Sequence, residues 1–173
     1  PIDYRLGFFL SLNKITSMKK IIACLLFCYL VNPNAEAQSI NDTITWQNSD
    51  RAFITYVPAS YAITDTVPLV FALHGLGDIA SNFESFMGMN AVADTANFIV
   101  VYPQALVDPL TNNQTAFSSG INFFSGVDDV GFVSALIDTL VSQYNIDTTR
   151  VYATGFSMGG FMTHRLACQL SDR

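Results

Sequence analysis

The sequence predicts an α/β fold, in which a mostly parallel sheet is covered by helices on both faces. Apolar runs of strand length alternate along the chain with longer segments of helical spacing, an order typical of such folds. The runs at residues 67–73 and 98–102 are almost continuously apolar, which indicates parallel strands buried on both faces. A third run, residues 150–154, leads through a glycine-rich turn into another helical segment.

The composition argues against two classes of protein. Of the 173 residues, 50% are hydrophobic and only 13% are charged, so the chain is far more apolar than a disordered chain. The net charge is −6, and no basic stripe is available to follow a phosphate backbone. We therefore expect a folded protein that does not bind nucleic acid.

A segment with the features of a secretory signal peptide precedes the predicted fold. The basic residues of Met-Lys-Lys at 18–20 come before an apolar run at 21–31, and Ala-Glu-Ala at 35–37 matches the A-x-A cleavage pattern. Cleavage would then fall before Gln38. Because the apolar run is shorter than the roughly 20 residues that cross a bilayer, we expect no stable membrane span after cleavage.

The predicted organisation therefore has three parts. Residues 1–17 are doubtful upstream sequence, residues 18–37 are the signal peptide, and residues 38–173 are the folded part of a secreted or periplasmic protein. A lipoprotein leader is the alternative, but Cys28 follows Phe27 and not the small residue that a lipidated cysteine requires.

Removal of the leader makes the net charge more negative. Residues 38–173 contain four arginines, no lysine and twelve acidic residues, which gives a net charge of −8. Such a charge suits a protein that acts on uncharged substrates. Cys168 is the only cysteine after the leader. We expect it to be a buried free thiol, with a disulfide to a partner beyond residue 173 as the alternative.

The first predicted elements are a hairpin, a strand and a helix. Residues 43–46 and 52–57 alternate polar and apolar side chains, with a turn sequence at 48–50 between them. After the strand at 67–73, residues 81–96 have helical spacing. The apolar members of that helix are Phe83, Phe86, Met87 and Val92.

The next segment combines a strand, a loop and a helix start. We expect Pro103 to stop the strand at 98–102, and the polar residues 108–125 to form a long surface loop. Asp128 and Asp129 then open a helix, where acidic side chains favour the positive end of the helix dipole.

That helix is predicted to end near Asn145 and to be followed by a strand at 150–154 and a helix at 158–170. The apolar face of the helix that opens at Asp128 and Asp129 comprises Val130, Val133, Ile137, Leu140, Val141 and Tyr144.

The strongest chemical signal lies in the turn between these last two elements. Residues 155–159, Gly-Phe-Ser-Met-Gly, match G-x-S-x-G, which places a serine in a strained turn between a strand and a helix. Such a turn exposes the hydroxyl of Ser157 and directs the backbone N–H of Met158 toward a developing oxyanion. The alternative is a glycine-rich connection without chemistry.

A second signal follows the strand at 67–73. In hydrolases with such a serine, the loop after a neighbouring strand donates the second N–H of the oxyanion hole, and we expect Leu76 of His-Gly-Leu-Gly (74–77) to be that donor. His74 is interpreted as a residue that organises this loop, with a catalytic base as the alternative. His164 is expected to be a packing or surface residue.

Several motifs together resemble one group of enzymes. These are Leu-His-Gly-Leu-Gly (73–77), Val-Val-Tyr-Pro (100–103), Val-Asp-Asp-Val-Gly-Phe (127–132), Tyr-Asn-Ile-Asp (144–147) and Arg-Val-Tyr-Ala-Thr-Gly-Phe-Ser-Met-Gly-Gly (150–160). Over roughly residues 52–173 the chain resembles secreted esterases of the polyhydroxybutyrate depolymerase and feruloyl esterase group. The resemblance implies a serine carboxylic-ester hydrolase that forms an acyl-enzyme on Ser157.

The resemblance also implies an α/β-hydrolase fold whose mostly parallel, doubly wound sheet is incomplete at the C-terminus. The catalytic Asp and His of that group follow the nucleophile, whereas no histidine follows His164 here. Asp128 and Asp129 do not match the catalytic acid, and we expect both to cap the helix that they open. We therefore expect the N-terminal part of a longer esterase, inactive as written. A serine without an imidazole base is a weak nucleophile.

The sequence leaves the substrate open between a polyester, a feruloylated polysaccharide and a small ester. It implies no cofactor, because no metal-ligand spacing is present. The alternatives are a secreted peptidase or lipase of the same fold and a non-catalytic pseudohydrolase that binds a ligand.

Overall fold

The computed structural model describes residues 36–120 and 127–173, which form a twisted sheet flanked by helices. The predicted leader up to residue 35 and part of the predicted polar loop, residues 121–126, lie outside the described residues. The sheet has five strands in the order β1-β2-β4-β3-β7. The strands of this sheet are β1 (Gln38–Trp46), β2 (Ser49–Val57), β3 (Val67–Leu73), β4 (Ile99–Pro103) and β7 (Ile146–Gly155).

The other described elements are a short ladder and four α-helices. Strands β5 (Val107–Asp108) and β6 (Gln114–Thr115) pair with each other and enclose a 3₁₀ turn at Pro109–Thr111. The helices are α1 (Ala80–Met87), α2 (Met89–Ala96), α3 (Asp129–Gln143) and α4 (Met158–Gln169).

The strand directions define a mixed sheet, in which the parallel part is the predicted one. Strand β3 pairs in parallel with both β4 and β7, whereas β2 pairs antiparallel with β1 and with β4. Within the five-stranded sheet, only β2 therefore runs against the others. The consequence for function is that β3, β4 and β7 all end at the same edge of the sheet.

The hairpin of β1 and β2 is longer than predicted and has a shorter turn. Trp46 pairs with Ser49, so the turn is Gln47-Asn48 and not residues 48–50. Gln47 and Asn48 have φ angles of 48° and 62°, the left-handed conformation that two-residue hairpin turns require. Asn adopts this conformation readily, which explains where the chain reverses.

The single helix predicted at 81–96 is two helices. Gly88 has a φ of 60°, so it ends α1 and starts α2 in a conformation that glycine adopts without strain. Because of this break, the apolar residues predicted for one helix face do not all point to the core. Phe83 is buried, but Phe86 is 70% exposed and Val92 is also exposed.

The core lies on both faces of the sheet, as predicted. Alternate residues of β4 point to opposite faces, so that Ile99 and Val101 belong to one cluster and Val100 and Tyr102 to the other. Helices α3 and α4 cover the first face, with the core residues Val130, Phe132, Val133, Leu136, Ile137, Leu140, Met162 and Leu166. Helices α1 and α2 cover the second face, with Ala80, Phe83 and Ala93.

The sequence interpretation placed several boundaries incorrectly. Pro103 is the last residue of β4 and pairs with Phe53; at a strand end the missing N–H of proline costs little. Helix α3 ends at Gln143, two residues before Asn145. Strand β7 begins at Ile146, earlier than the strand predicted at 150–154.

Two expectations about exposure were wrong. Within the predicted surface loop, Phe117 is fully buried and its neighbours in 116–119 are buried as well. Cys168 is an exposed free thiol on α4 and not a buried one. In the described part of the chain, no helix has the length and apolar character needed to cross a membrane.

Candidate active site

The two motif-bearing turns lie side by side because β3 and β7 are parallel neighbours. Leu73 at the end of β3 is paired with Gly155 at the end of β7. The backbone N–H of Phe156 donates to the carbonyl oxygen of Leu73 at 3.1 Å, which extends this pairing into the turn. The loop that contains Leu76 and the turn that contains Ser157 therefore start from adjacent points of one sheet edge.

Ser157 has the backbone conformation of a nucleophile in a sharp turn. Its φ of 51° and ψ of −114° are rare for a residue with a side chain and cost on the order of 1–3 kcal/mol. The residue is exposed, and its carbonyl oxygen accepts the N–H of Phe161 at 3.2 Å as α4 begins. The hydroxyl group is therefore held clear of the sheet, as the motif predicts.

Close backbone packing explains why glycines flank this turn. A Cβ at Gly159 would overlap the carbonyl group of Leu73, and a Cβ at Gly155 would overlap the carbonyl group of Gly159. Only residues without a side chain allow α4 to leave the sheet so steeply.

The loop after β3 approaches Ser157 closely. A Cβ built at Gly75 would lie 3.6 Å from the Cβ of Ser157. The N–H of Gly77 donates to the carbonyl oxygen of Thr115 at 2.8 Å, so this N–H is already engaged. In contrast, the N–H groups of Leu76 and Met158 have no acceptor among the described residues. Both are therefore free to donate to a substrate oxygen.

His74 is buried and both of its ring nitrogens are engaged. Its Nε2 lies 3.1 Å from the N–H of Ala105, which donates to it, and its Nδ1 lies 2.7 Å from the carbonyl oxygen of Gly75. These partners fix the neutral tautomer that carries its proton on Nδ1. Burial lowers the pKa of His74 below its ordinary value of 6.5. These contacts fit a residue that organises the loop and leave no nitrogen free to act as a base.

His164 is exposed on α4. Within the described part of the chain, neither His74 nor His164 forms a hydrogen bond with the hydroxyl of Ser157. The two histidines of this sequence therefore do not supply the proton acceptor that a serine nucleophile requires.

The two acidic residues at the start of α3 have different roles. Asp128 caps the helix as predicted, and its Oδ1 accepts the N–H of Gly131 at 2.8 Å. The capping prediction is wrong for Asp129. This residue is fully buried, forms an ion pair with Arg51 at 2.5 Å and accepts the N–H of Ser118 at 2.6 Å.

Sequence reasoning also missed the segment at residues 115–119, which we call the strap. It runs from β6 past the loop of Leu76 to the nucleophile turn. The ring of Phe117 in the strap lies 4.8 Å from the ring of His74, and the hydroxyl of Ser119 lies 3.1 Å from the sulfur of Met158. The only signal was Phe117 itself, a large apolar residue within a polar stretch.

Apolar side chains border Ser157 on its open side. Phe156, the residue before Ser157, is exposed, and its ring lies 5.8 Å from that of Phe86 on α1. Leu76 is 43% exposed on the facing loop. Among the described residues, no group of three or more His, Cys, Asp or Glu side chains is arranged to hold a metal ion.

The sheet order, the steep strand–turn–helix at Ser157 and the helices on both faces define an α/β-hydrolase fold. A solved structure titled as a ferulic acid esterase superimposes with a TM-score of 0.64 at 19% sequence identity and shows the same fold. The match covers 80% of this chain and 56% of that structure. The chain described here therefore corresponds to part of the fold.

The family is shown by the sequence comparison. Residues 51–172 match the model of the family described as Esterase PHB depolymerase, and the chain belongs to this family.

The curated relatives of the chain include an acetylxylan esterase and a polyester depolymerase. A bifunctional acetylxylan esterase/xylanase of Neocallimastix patriciarum is 32% identical over 138 residues, which are 79% of this chain and 18% of that protein. Poly(3-hydroxyalkanoate) depolymerase C of Paucimonas lemoignei is 33% identical over 105 residues, which are 61% of this chain and 25% of that protein. The chain thus spans well under half the length of these relatives.

Proposed function

We propose that this chain carries the nucleophile half of a secreted serine carboxylic-ester hydrolase. The observation that carries the proposal is the exposed, strained Ser157 beside the backbone N–H groups of Leu76 and Met158, which have no acceptor among the described residues. Membership in the Esterase PHB depolymerase family supports it.

In the proposed reaction, the Oγ of Ser157 attacks the carbonyl carbon of an ester and passes its proton to a histidine. That histidine and the Asp that orients it would lie after residue 173. The tetrahedral intermediate collapses to an acyl-enzyme, and the alcohol leaves with the proton. Water, activated by the same base, then releases the acid and regenerates the serine.

We assign the oxyanion hole to the backbone N–H groups of Met158 and Leu76. Their unpaired N–H groups and their positions on either side of Ser157 support the assignment. Loss of one such donor typically costs about a hundred- to a thousandfold in rate. Both donors belong to the backbone, so side-chain substitution would leave them in place.

The proposed substrates are uncharged esters: a polyester, a feruloylated polysaccharide or a small ester. The names of the relatives point to polyhydroxyalkanoates and acetylated xylan, and a structural neighbour is titled as a ferulic acid esterase. The exposed side chains of Phe156, Phe86 and Leu76 beside the nucleophile favour an apolar acyl or alcohol group.

We also propose that the protein is exported and that the leader is removed before Gln38. The start of β1 at Gln38 supports this boundary, because cleavage there would leave the strand intact. N-terminal sequencing of the exported protein should begin at Gln38. An exported protein that retains residues 18–37 would contradict the cleavage.

The activity is tested with the intact protein and p-nitrophenyl acetate. We expect turnover that Ser157→Ala abolishes, with the loss confined to kcat. Ser142→Ala is the matched control, because the hydroxyl of Ser142 is exposed on α3 and bonds only to the carbonyl oxygen of Thr139. An intact protein without Ser157-dependent turnover would contradict the proposal and favour a binding module.

A further inference from the structure

We propose that the buried ion pair of Arg51 and Asp129 positions the oxyanion hole, and that it does so through the strap of residues 115–119. Neither residue touches the nucleophile, so both act as positioning residues. The inference rests on the proposed function, because it concerns the two N–H groups assigned to the oxyanion. Four observations carry it, from the ion pair outward to Leu76 and Met158.

The ion pair is buried and only partly satisfied. Both side chains are 1% exposed, and the guanidinium of Arg51 also lies 4.0 Å above the ring of Phe132. Among the described residues, the Nε and Nη1 atoms of Arg51 have no hydrogen-bond partner. A buried pair of this kind contributes little net stability compared with apolar side chains of similar size. Its position therefore calls for a role other than stability.

The carboxylate of Asp129 is shared between the arginine and the strap. Its Oδ1 binds Nη2 of Arg51, whereas its Oδ2 accepts the backbone N–H of Ser118 at 2.6 Å. Arg51 thus orients the carboxylate, and the carboxylate fixes the backbone at Ser118. This bond links α3 and β2 to the middle of the strap.

Helix α4 holds the strap from the other side. The Nη1 of Arg165 donates to the carbonyl oxygen of Ser118, and it lies 3.2 Å from the hydroxyl of the same residue. Arg165 lies on the helix that starts at the nucleophile turn. The peptide groups on both sides of Ser118 are therefore each bonded to a charged side chain.

The strap in turn contacts the loop that contains Leu76 and the side chain of Met158. At its start, the carbonyl oxygen of Thr115 accepts the N–H of Gly77 at 2.8 Å, and its hydroxyl donates to the carbonyl oxygen of Asp78 at 2.5 Å. These bonds hold the loop of Leu76. At its end, Ser119 contacts the sulfur of Met158. One segment thus bridges the loop that carries the N–H of Leu76 and the residue that carries the N–H of Met158.

A shift of the strap should raise the energy of the transition state more than that of the bound substrate. Oxyanion donors act where negative charge develops, so their misplacement lowers kcat and leaves KM nearly unchanged. A displacement of about 1 Å is enough to cost about a hundredfold in rate.

The test is the double variant Arg51→Met/Asp129→Leu in the intact enzyme. Apolar side chains of similar size should preserve folding, and the loss of the acceptor for the N–H of Ser118 should lower the Tm only moderately. We expect kcat for p-nitrophenyl acetate to fall at least about tenfold, with KM within about twofold of wild type. The control is Asp147→Asn, which removes the partly exposed ion pair of Asp147 with Arg150 and should leave kcat unchanged.

A second pair of variants decides the question if the double variant does not fold. Arg165→Gln removes the charged donor to Ser118 from a partly exposed side chain, and Arg165→Lys restores one donor. We expect kcat to fall in the first variant and to recover in the second, at constant Tm.

Two failures are distinguishable. Folded variants with wild-type kcat would overturn this inference alone. A wild-type enzyme without Ser157-dependent turnover would overturn the proposed function and this inference with it.

Discussion

Gly159 lies so close to the carbonyl group of Leu73 that no side chain fits between them. This contact joins the first turn of α4, which contains Met158, to the end of β3, which leads into the loop of Leu76. The same carbonyl oxygen of Leu73 accepts the N–H of Phe156. The position of the nucleophile turn relative to the facing loop therefore depends on one residue without a side chain.

Substitution of Gly159 by alanine should destabilise the protein and reduce activity. The new methyl group would overlap the backbone of Leu73 and His74, and such overpacking costs about 1–3 kcal/mol. Urea unfolding measures the loss of stability, and kcat measures the displacement of the turn.

Gly160→Ala is the matched control for this substitution. A Cβ at Gly160 would lie 3.3 Å from the carbonyl oxygen of Gly155, which requires only a small shift. Alanine also gains up to about 1 kcal/mol over glycine within a helix. Equal destabilisation by the two variants would contradict the close contact at Gly159.

His74 should make stability fall at acidic pH. Burial lowers its pKa in the folded state, although Asp78 and Asp129 partly oppose this effect. The unfolded chain takes up the proton near pH 6.5, whereas the folded state keeps the imidazole neutral. Stability is therefore complete above about pH 6.5 and decreases as the pH falls toward the lowered pKa, by at most about 1.4 kcal/mol per pH unit.

Urea unfolding between pH 5 and pH 8 checks this dependence. His74→Gln should be less stable at pH 8 and should lose less stability on acidification than wild type. His164→Gln should behave like wild type, because that side chain is exposed. If His74→Gln and wild type lose stability equally on acidification, His74 is not the group responsible.

Tyr56 should stabilise the contact between β2 and α2. Its hydroxyl donates to the carboxylate of Asp94, with 2.8 Å to each oxygen, and burial together with this carboxylate raises the pKa of Tyr56 to about 12. Tyr56→Phe should cost about 1 kcal/mol of unfolding free energy. Tyr152→Phe is the control on an exposed side chain and should cost nothing measurable. An unchanged free energy of unfolding in Tyr56→Phe would contradict a stabilising hydrogen bond between Tyr56 and Asp94.

The sequence predicted those parts of the site that depend on local geometry. Ser157 was found because a strained turn between a strand and a helix demands small neighbours, and Gly155 and Gly159 each lie only two residues from Ser157 in the sequence. The loop of Leu76 was found because β3 has the continuous apolar character of a buried strand.

The parts that depend on distant partners were not predictable in the same way. Asp129 was interpreted as a helix cap because its partner Arg51 lies 78 residues earlier in the chain. Residues 116–119 were interpreted as surface because they lie within the polar stretch 108–125. In the structure, Asp129 and Arg165 satisfy the backbone of Ser118 in the interior. Tertiary hydrogen bonds decided burial there, and composition does not reveal them.

Active-site labelling of the intact protein tests the central claim most directly. A fluorophosphonate reacts only with a serine that a base activates, and peptide mapping by mass spectrometry locates the adduct. We predict a single adduct on Ser157, its absence in Ser157→Ala and an unchanged yield in Ser142→Ala. An intact, folded protein that does not react, or that reacts equally after Ser157→Ala, would contradict the assignment of Ser157 as the nucleophile.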